Sequence, residues 1–214
     1  MTKLLVIGAT QGIGRATVTT ALDRGLSVRA MARGIEALEI EHPALDKHRG
    51  DATEAEDLRA ALDGVDAVAM TLGVPIDRQT LTRPVALFST ATATLIPLMR
   101  ETGPRRLVAV TGFGTGDSHG RMSFLERAGH WALLGRIYDD KSRQETLIRE
   151  ASDLDWTIAR PVILTNGQPT GRYRVLVAPG EWRNGLISRA DVADFVVRSV
   201  VEGTYIRQTP VLAR

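Results

Sequence analysis

The chain has 214 residues, of which 43% are hydrophobic, enough for one α/β domain with a full core. Twenty-seven basic residues stand against 25 acidic ones, and a formal net charge of +2 argues against a nucleic-acid or membrane-surface partner. There are no cysteines, which excludes disulfides, thiol nucleophiles and thiolate metal sites.

Residues 4–7 are an uninterrupted apolar run, which suits a strand over 3–7 buried on both faces, as in a parallel sheet. Glycines follow at 8, 12 and 14, and residues 12–24 can form a helix that Gly25 stops. Together they make a phosphate cradle. Gly8 permits the tight turn, Gly12 lets the backbone approach a pyrophosphate, and Gly14 lets the helix pack close to the strand. The free N–H groups and positive end of the helix then face the anion. The spacing is Gly8-x-x-x-Gly12-x-Gly14 rather than Gly-x-Gly-x-x-Gly.

A second strand covers 26–32. At its end a dinucleotide fold meets the adenosine ribose, where an acid binds the hydroxyls of NAD and a base accommodates the 2′-phosphate of NADP. Arg33 stands there, with no acid before Glu36, which favours NADP(H) over NAD(H).

Residues 35–47 read as polar, helical or irregular, and 48–53 as a short strand and turn. Thr53 can cap a helix over 54–62, with Glu56 completing a capping box. A strand over 66–71 leads into Leu72-Gly73, where the glycine permits close approach of a ligand. Residues 74–83 form a loop rich in Pro, Asp and Thr. An amphipathic helix covers 84–101, with Pro84 in its first turn and Pro97 as a candidate kink. Residues 107–111 are the next strand. Such alternation calls for a doubly wound parallel sheet.

The rhythm breaks over 112–136. Five glycines stand between Gly112 and Gly129. This stretch reads as a mobile flap at the carboxyl end of the strand, where ligands bind in such sheets. His119 and His130 on it could reach a substrate. A helix over 137–152, a strand over 156–160 ended by Pro161, a substrate loop over 162–172, a strand over 173–178 and a helix capped by Ser188 complete the chain. The histidines show no metal-ligand spacing. Gly116-Asp117-Ser118-His119-Gly120 matches a nucleophile elbow, but a glycine-rich loop precedes it and the acid-then-histidine order downstream is not met.

These residues resemble the short-chain dehydrogenase/reductase superfamily, and within it the atypical NAD(P)H-binding proteins of the biliverdin reductase B/flavin reductase type. The resemblance rests on residues 7–14, Gly50-Asp51, Asp66-Ala67-Val68 leading to Leu72-Gly73, and Val110-Thr111. It continues through Lys141 and Glu145 ahead of Asp155-Trp156-Thr157-Ile158-Ala159-Arg160-Pro161, and Ile187-Ser188-Arg189-Ala190-Asp191-Val192-Ala193. It implies a Rossmann-like, three-layer α/β/α single domain over residues 1–214 with NAD(P)H along the carboxyl edge of the sheet. Gly8, Thr10, Gln11, Gly12 and Ile13 would hold the pyrophosphate and Arg33 would face the 2′-phosphate. Asp51 and Ala52 would contact adenine, and Leu72 and Gly73 the adenine ribose. Thr111, Lys141, Pro161, Val162 and Ile163 would surround the nicotinamide ribose and ring.

The superfamily's catalytic Tyr is followed four residues later by a Lys. Here Tyr138 precedes Lys141 by three, and position 142 is Ser. Both spacings keep two side chains on one helix face. Thr111, Tyr138 and Lys141 are therefore the catalytic candidates. Where the biliverdin reductase type has a Ser after the fifth strand and a His after the sixth, this chain has Gly112 and Val162. Two functions follow from the resemblance: an NADP(H)-dependent oxidoreductase passing hydride to a small carbonyl, quinone or flavin-like acceptor, or a non-catalytic NADP(H)-binding redox sensor. A small-molecule substrate, no nucleic acid or membrane partner, a cytoplasmic location without metal, and a monomeric or homodimeric state are the accompanying expectations.

Overall fold

The computed structural model describes residues 2–75, 84–121 and 124–214. In chain order the strands are β1 (Lys3–Ile7), β2 (Ser27–Ala32), β3 (Leu45–Arg49), β4 (Ala67–Met70), β5 (Arg106–Val110), β6 (Asp155–Pro161), β7 (Ile163–Thr165), β8 (Arg174–Leu176), β9 (Leu186–Ser188) and β10 (Val211–Ala213). The α-helices are α1 (Gly12–Asp23), α2 (Ala55–Leu62), α3 (Leu87–Thr102), α4 (Phe124–Glu150) and α5 (Arg189–Glu202). None among the described residues is long and apolar enough to cross a membrane.

Eight strands form one sheet in the order β3-β2-β1-β4-β5-β6-β10-β8, and β7 pairs with β9 apart from it. Every neighbour pair in the large sheet is parallel except β10 with β8. Parallel strands covered on both faces need apolar residues at every position. β1 meets that need: Leu4 and Val6 enter one core layer with Val18 and Leu22 of α1 and Phe195 of α5. Leu5 and Ile7 enter the other with Leu58 of α2, Leu95 of α3 and Ile148 of α4. This is the Rossmann-like three-layer sandwich. The chain winds from β1 outward through β2 and β3, then returns to place β4 on the other side of β1. The crevice between β1 and β4 is the topological switch point, where ligands bind in open α/β sheets.

Several expectations need correction. The helix expected from about 137 begins at Phe124, so the part of the flap from 124 to 136 is helical, and a 3-10 segment covers Gly116–Arg121. Thr53 does not cap α2. Its hydroxyl donates to Asp51 at 2.8 Å, and Glu54 occupies the cap position without a side-chain bond. The stretch after Pro161 is not all loop, because Ile163 pairs with Leu186 and Thr165 with Ser188. Helix α3 starts at Leu87 rather than Pro84. The loop expected over 74–83 lies outside the described residues from 76 onward. Ser188 does cap the last helix, accepting from the Asp191 N–H at 2.9 Å.

Candidate active site

The carboxyl ends of β1, β2, β4, β5 and β6 open into one cavity of about 1310 Å³. At its floor Gly8 has φ +87°, and its N–H donates to the Met31 carbonyl at 2.9 Å. Gly14 sits one turn on, where a Cβ would lie 2.0 Å from the Gly8 carbonyl oxygen. Only glycine lets α1 begin this close to β1. The first turn of α1 carries no acidic residue, and Gln11 makes no capping bond. Its N–H groups and partial positive charge therefore face the cavity uncancelled. A cradle with no room for side chains, backed by a bare helix N-terminus, fits the diphosphate of a dinucleotide.

Gly8, Thr10, Gln11, Gly12 and Ile13 line this end of the cavity. Arg33, Asp51, Ala52, Leu72 and Gly73 line the flank on either side of β1. Arg33 is largely exposed, with its guanidinium 3.9 Å from the Asp51 carboxylate. Asp51 accepts from the Thr53 N–H at 2.9 Å and from its hydroxyl. The Thr53 backbone bond leads in holding the Asp51 carboxyl below its ordinary range, with Arg33 assisting.

At the far end stand Thr111, Tyr138, Lys141, Pro161, Val162 and Ile163, with Phe88, Phe113 and Ile137 closing an apolar wall. Helix α4 supplies Tyr138 and Lys141 one turn apart. Tyr138 lies against Gly112, where a Cβ would come within 2.7 Å of the phenol oxygen. Burial pushes the Tyr138 hydroxyl up to about 12, opposite to the lowering expected of a tyrosine beside a catalytic lysine. Lys141 donates to the Val110 carbonyl at 3.1 Å and sits 4.1 Å over the Phe88 ring. Thr111 gives its proton to Glu145 at 2.7 Å, so it can meet a substrate carbonyl only by releasing Glu145. His119 is exposed and does not line the cavity, and the His130 side chain lies outside the described ones.

Burial carries the Lys141 ammonium down to about 8 against the opposing pull of Glu145 and Asp140. The folded-state value therefore lies below the ordinary one. Between pH 8 and about 10.5 the unfolded chain holds more protons at this site than the folded chain, so stability rises with pH there. Below pH 8 the cost of the buried charge is present in full. Lys141→Met is expected to flatten that rise, as urea unfolding at a series of pH values would measure. An unchanged slope would place the ammonium in a more hydrated setting.

Residues that sequence reasoning missed also line the cavity: Phe88, Phe113, Asn166, Asn184 and Arg189. Arg189 was visible only as the residue after the Ser188 cap. Nothing local distinguishes a helix-opening arginine that faces solvent from one that faces a ligand.

The sequence matches the NAD(P)H-binding family over residues 8–202. An uncharacterised chloroplast protein of Arabidopsis thaliana is 30% identical over 211 residues, covering 94% of this chain and 72% of that one. ChuY of Escherichia coli O157:H7, described as an anaerobilin reductase, superposes with a TM-score of 0.82 at 26% identity, covering 99% of this chain and 97% of that one. A short-chain dehydrogenase/reductase of Veillonella parvula solved with NADP gives a TM-score of 0.83 at 17% identity, over 100% and 94% of the two chains, a likeness of fold alone. The glycine cradle at the switch point and a match over most of the chain's length agree: the protein belongs to the NAD(P)H-binding family.

Proposed function

We propose that this protein is an NADP(H)-dependent oxidoreductase acting in the reducing direction on a small carbonyl, quinone or flavin-like acceptor. The observation that carries the reading is a single cavity joining the glycine cradle to an apolar chamber walled by Phe88, Phe113 and Ile137. The bound nicotinamide would supply the hydride. Gly8, Thr10, Gln11, Gly12 and Ile13 would hold the diphosphate, Arg33 the 2′-phosphate, and Asp51 and Ala52 the adenine. Leu72 and Gly73 would line its ribose. Lys141 would contact the nicotinamide ribose, while Pro161, Val162 and Ile163 press on the ring. The apolar wall would exclude water and orient a flat acceptor.

Tyr138 would be the proton donor. A phenol held near 12 stays protonated at neutral pH. It would give its proton to a developing alkoxide. Thr111 would act through Glu145 as part of the wall. The description of the Escherichia coli neighbour as a reductase supports reduction as the class of reaction.

Steady NADPH oxidation against a panel of aldehydes, quinones and flavins tests the proposal. Tyr138→Phe is expected to lower turnover of carbonyl acceptors by about 10²-fold, the lower end of the usual contribution of a general acid. Quinones and flavins, already electron-poor, should change by no more than about threefold. Tight NADPH binding without turnover of any acceptor would instead favour the redox sensor. The commitment of Lys141 to Val110 and of Thr111 to Glu145 is the feature on which that second reading rests.

A further inference from the structure

Arg189 opens α5, which packs against α1, and it lines the cavity beside the glycine turn. A Cβ placed on Gly12 would lie 3.8 Å from both its Cδ and its Nε. The arginine side chain therefore lies beside Gly12 at the edge of the cradle. One of its terminal nitrogens donates to the Asn166 side-chain carbonyl at 2.7 Å. Among the described residues no carboxylate pairs with it. Asp191, on the same turn, is committed elsewhere. It accepts from the Thr170 and Gly171 N–H groups at 2.7 and 2.9 Å and from the Ser188 hydroxyl. A half-buried cation, without a carboxylate partner among the described residues and held by a neutral one, thus stands beside a bare helix N-terminus at Gly12. Each of the two features attracts an anion alone, and both line the same end of the cavity.

We propose that Arg189 is a diphosphate clamp, holding the dinucleotide from beside the α1 N-terminus, and that Asn166 is the positioning residue that holds its fork. This rests on the dinucleotide reading above. Asn166 directly follows β7, whose Ile163 and Leu164 line the acceptor end. The clamp therefore ties the diphosphate to the strand that bounds the acceptor chamber. Unlike Arg33, Arg189 has no part in choosing NADP over NAD, because both carry the same diphosphate.

The test compares NADPH, NADH and adenosine 2′-monophosphate, which keeps the adenine and 2′-phosphate but has no diphosphate. Binding of each is titrated by fluorescence or calorimetry to wild type, Arg189→Ala, Arg189→Lys, Asn166→Ala and Arg33→Ala. Arg189→Ala should weaken NADPH and NADH by the same factor, about 10- to 100-fold, the size expected for charge-assisted bonds. It should leave adenosine 2′-monophosphate unchanged. Lysine keeps the charge but not the fork, so Arg189→Lys should recover only part of the loss. Asn166→Ala should show a smaller loss in the same pattern. Arg33→Ala should do the reverse, weakening NADPH and adenosine 2′-monophosphate but not NADH. Wild-type affinity in Arg189→Ala overturns the clamp while leaving the dinucleotide reading standing. So does a loss confined to NADPH, or one shared equally by adenosine 2′-monophosphate. Failure of the wild type to bind either dinucleotide overturns both.

Discussion

Gly14→Ala is expected to destroy cofactor binding and to destabilise the fold, although alanine is the better helix former by about 1 kcal/mol. The reason is distance. The new methyl would stand 2.0 Å from the Gly8 carbonyl oxygen and 2.8 Å from the Thr71 hydroxyl. The first obstacle is backbone, which cannot rotate aside as a side chain does. Relief requires α1 to lift from β1, and this disturbs the turn that, on the proposed reading, would aim the helix N-terminus at the diphosphate. Overpacking of this kind costs about 1–3 kcal/mol, and more where backbone must move. Gly180→Ala is the matched control, since a Cβ there meets nothing within 4 Å. Urea unfolding should separate the two variants, and an NADPH titration should show binding for Gly180→Ala alone. Wild-type binding by Gly14→Ala would mean that the strand–helix packing does not shape the cradle.

Glu145→Ala is expected to cost about 3–5 kcal/mol, lowering Tm by roughly 6–20 °C, as when a buried ion pair loses one partner. Arg160 is wholly buried on β6, and Glu145 nearly so on α4. The guanidinium donates to the two carboxylate oxygens at 3.0 and 2.5 Å. Thr111 and Thr115 donate to the first of those oxygens at 2.7 and 2.5 Å. Asp117, from the 3-10 segment, meets the same guanidinium at 2.6 Å, and Gly116 brings backbone up against the pair. The carboxylate thereby fastens β6, α4 and the segment after β5 at one point beside the cavity. Without it the arginine keeps only Asp117, which is half-exposed. Glu145→Gln should lose less, since it retains an acceptor for the two threonines. The double change Glu145→Leu with Arg160→Met should recover much of the loss, because neither member of the pair is then left buried without the other. Thermal unfolding of the three variants checks the order. A double variant no better than Glu145→Ala would show that the hydrogen bonds outweigh the charge.

The glycine turn between β1 and α1 was legible in the sequence because its main causes are local. Apolar residues at 4–7 demand a buried strand, and Gly14 must clear the Gly8 carbonyl six residues before it. Ser188 as a cap was legible for the same reason. Helix α4 was misjudged at its start, because glycine propensity over 112–136 outweighed packing contacts that no window of sequence contains. The three-residue strands β7, β9 and β10 are too short to show a period. Their pairing comes from the surroundings rather than from their own residues.

The first fifteen residues by themselves determined that a glycine turn follows a buried strand and leads into a helix, since Gly14 must clear the Gly8 carbonyl within that same stretch of chain. The tertiary structure alone decided how the distant groups are spent. Folding brings Thr111, Glu145 and Arg160 into one buried network, turns Lys141 to the Val110 carbonyl, and carries Arg189 beside Gly12. Burial and long-range pairing set those partners, and both depend on residues that sequence distance keeps apart.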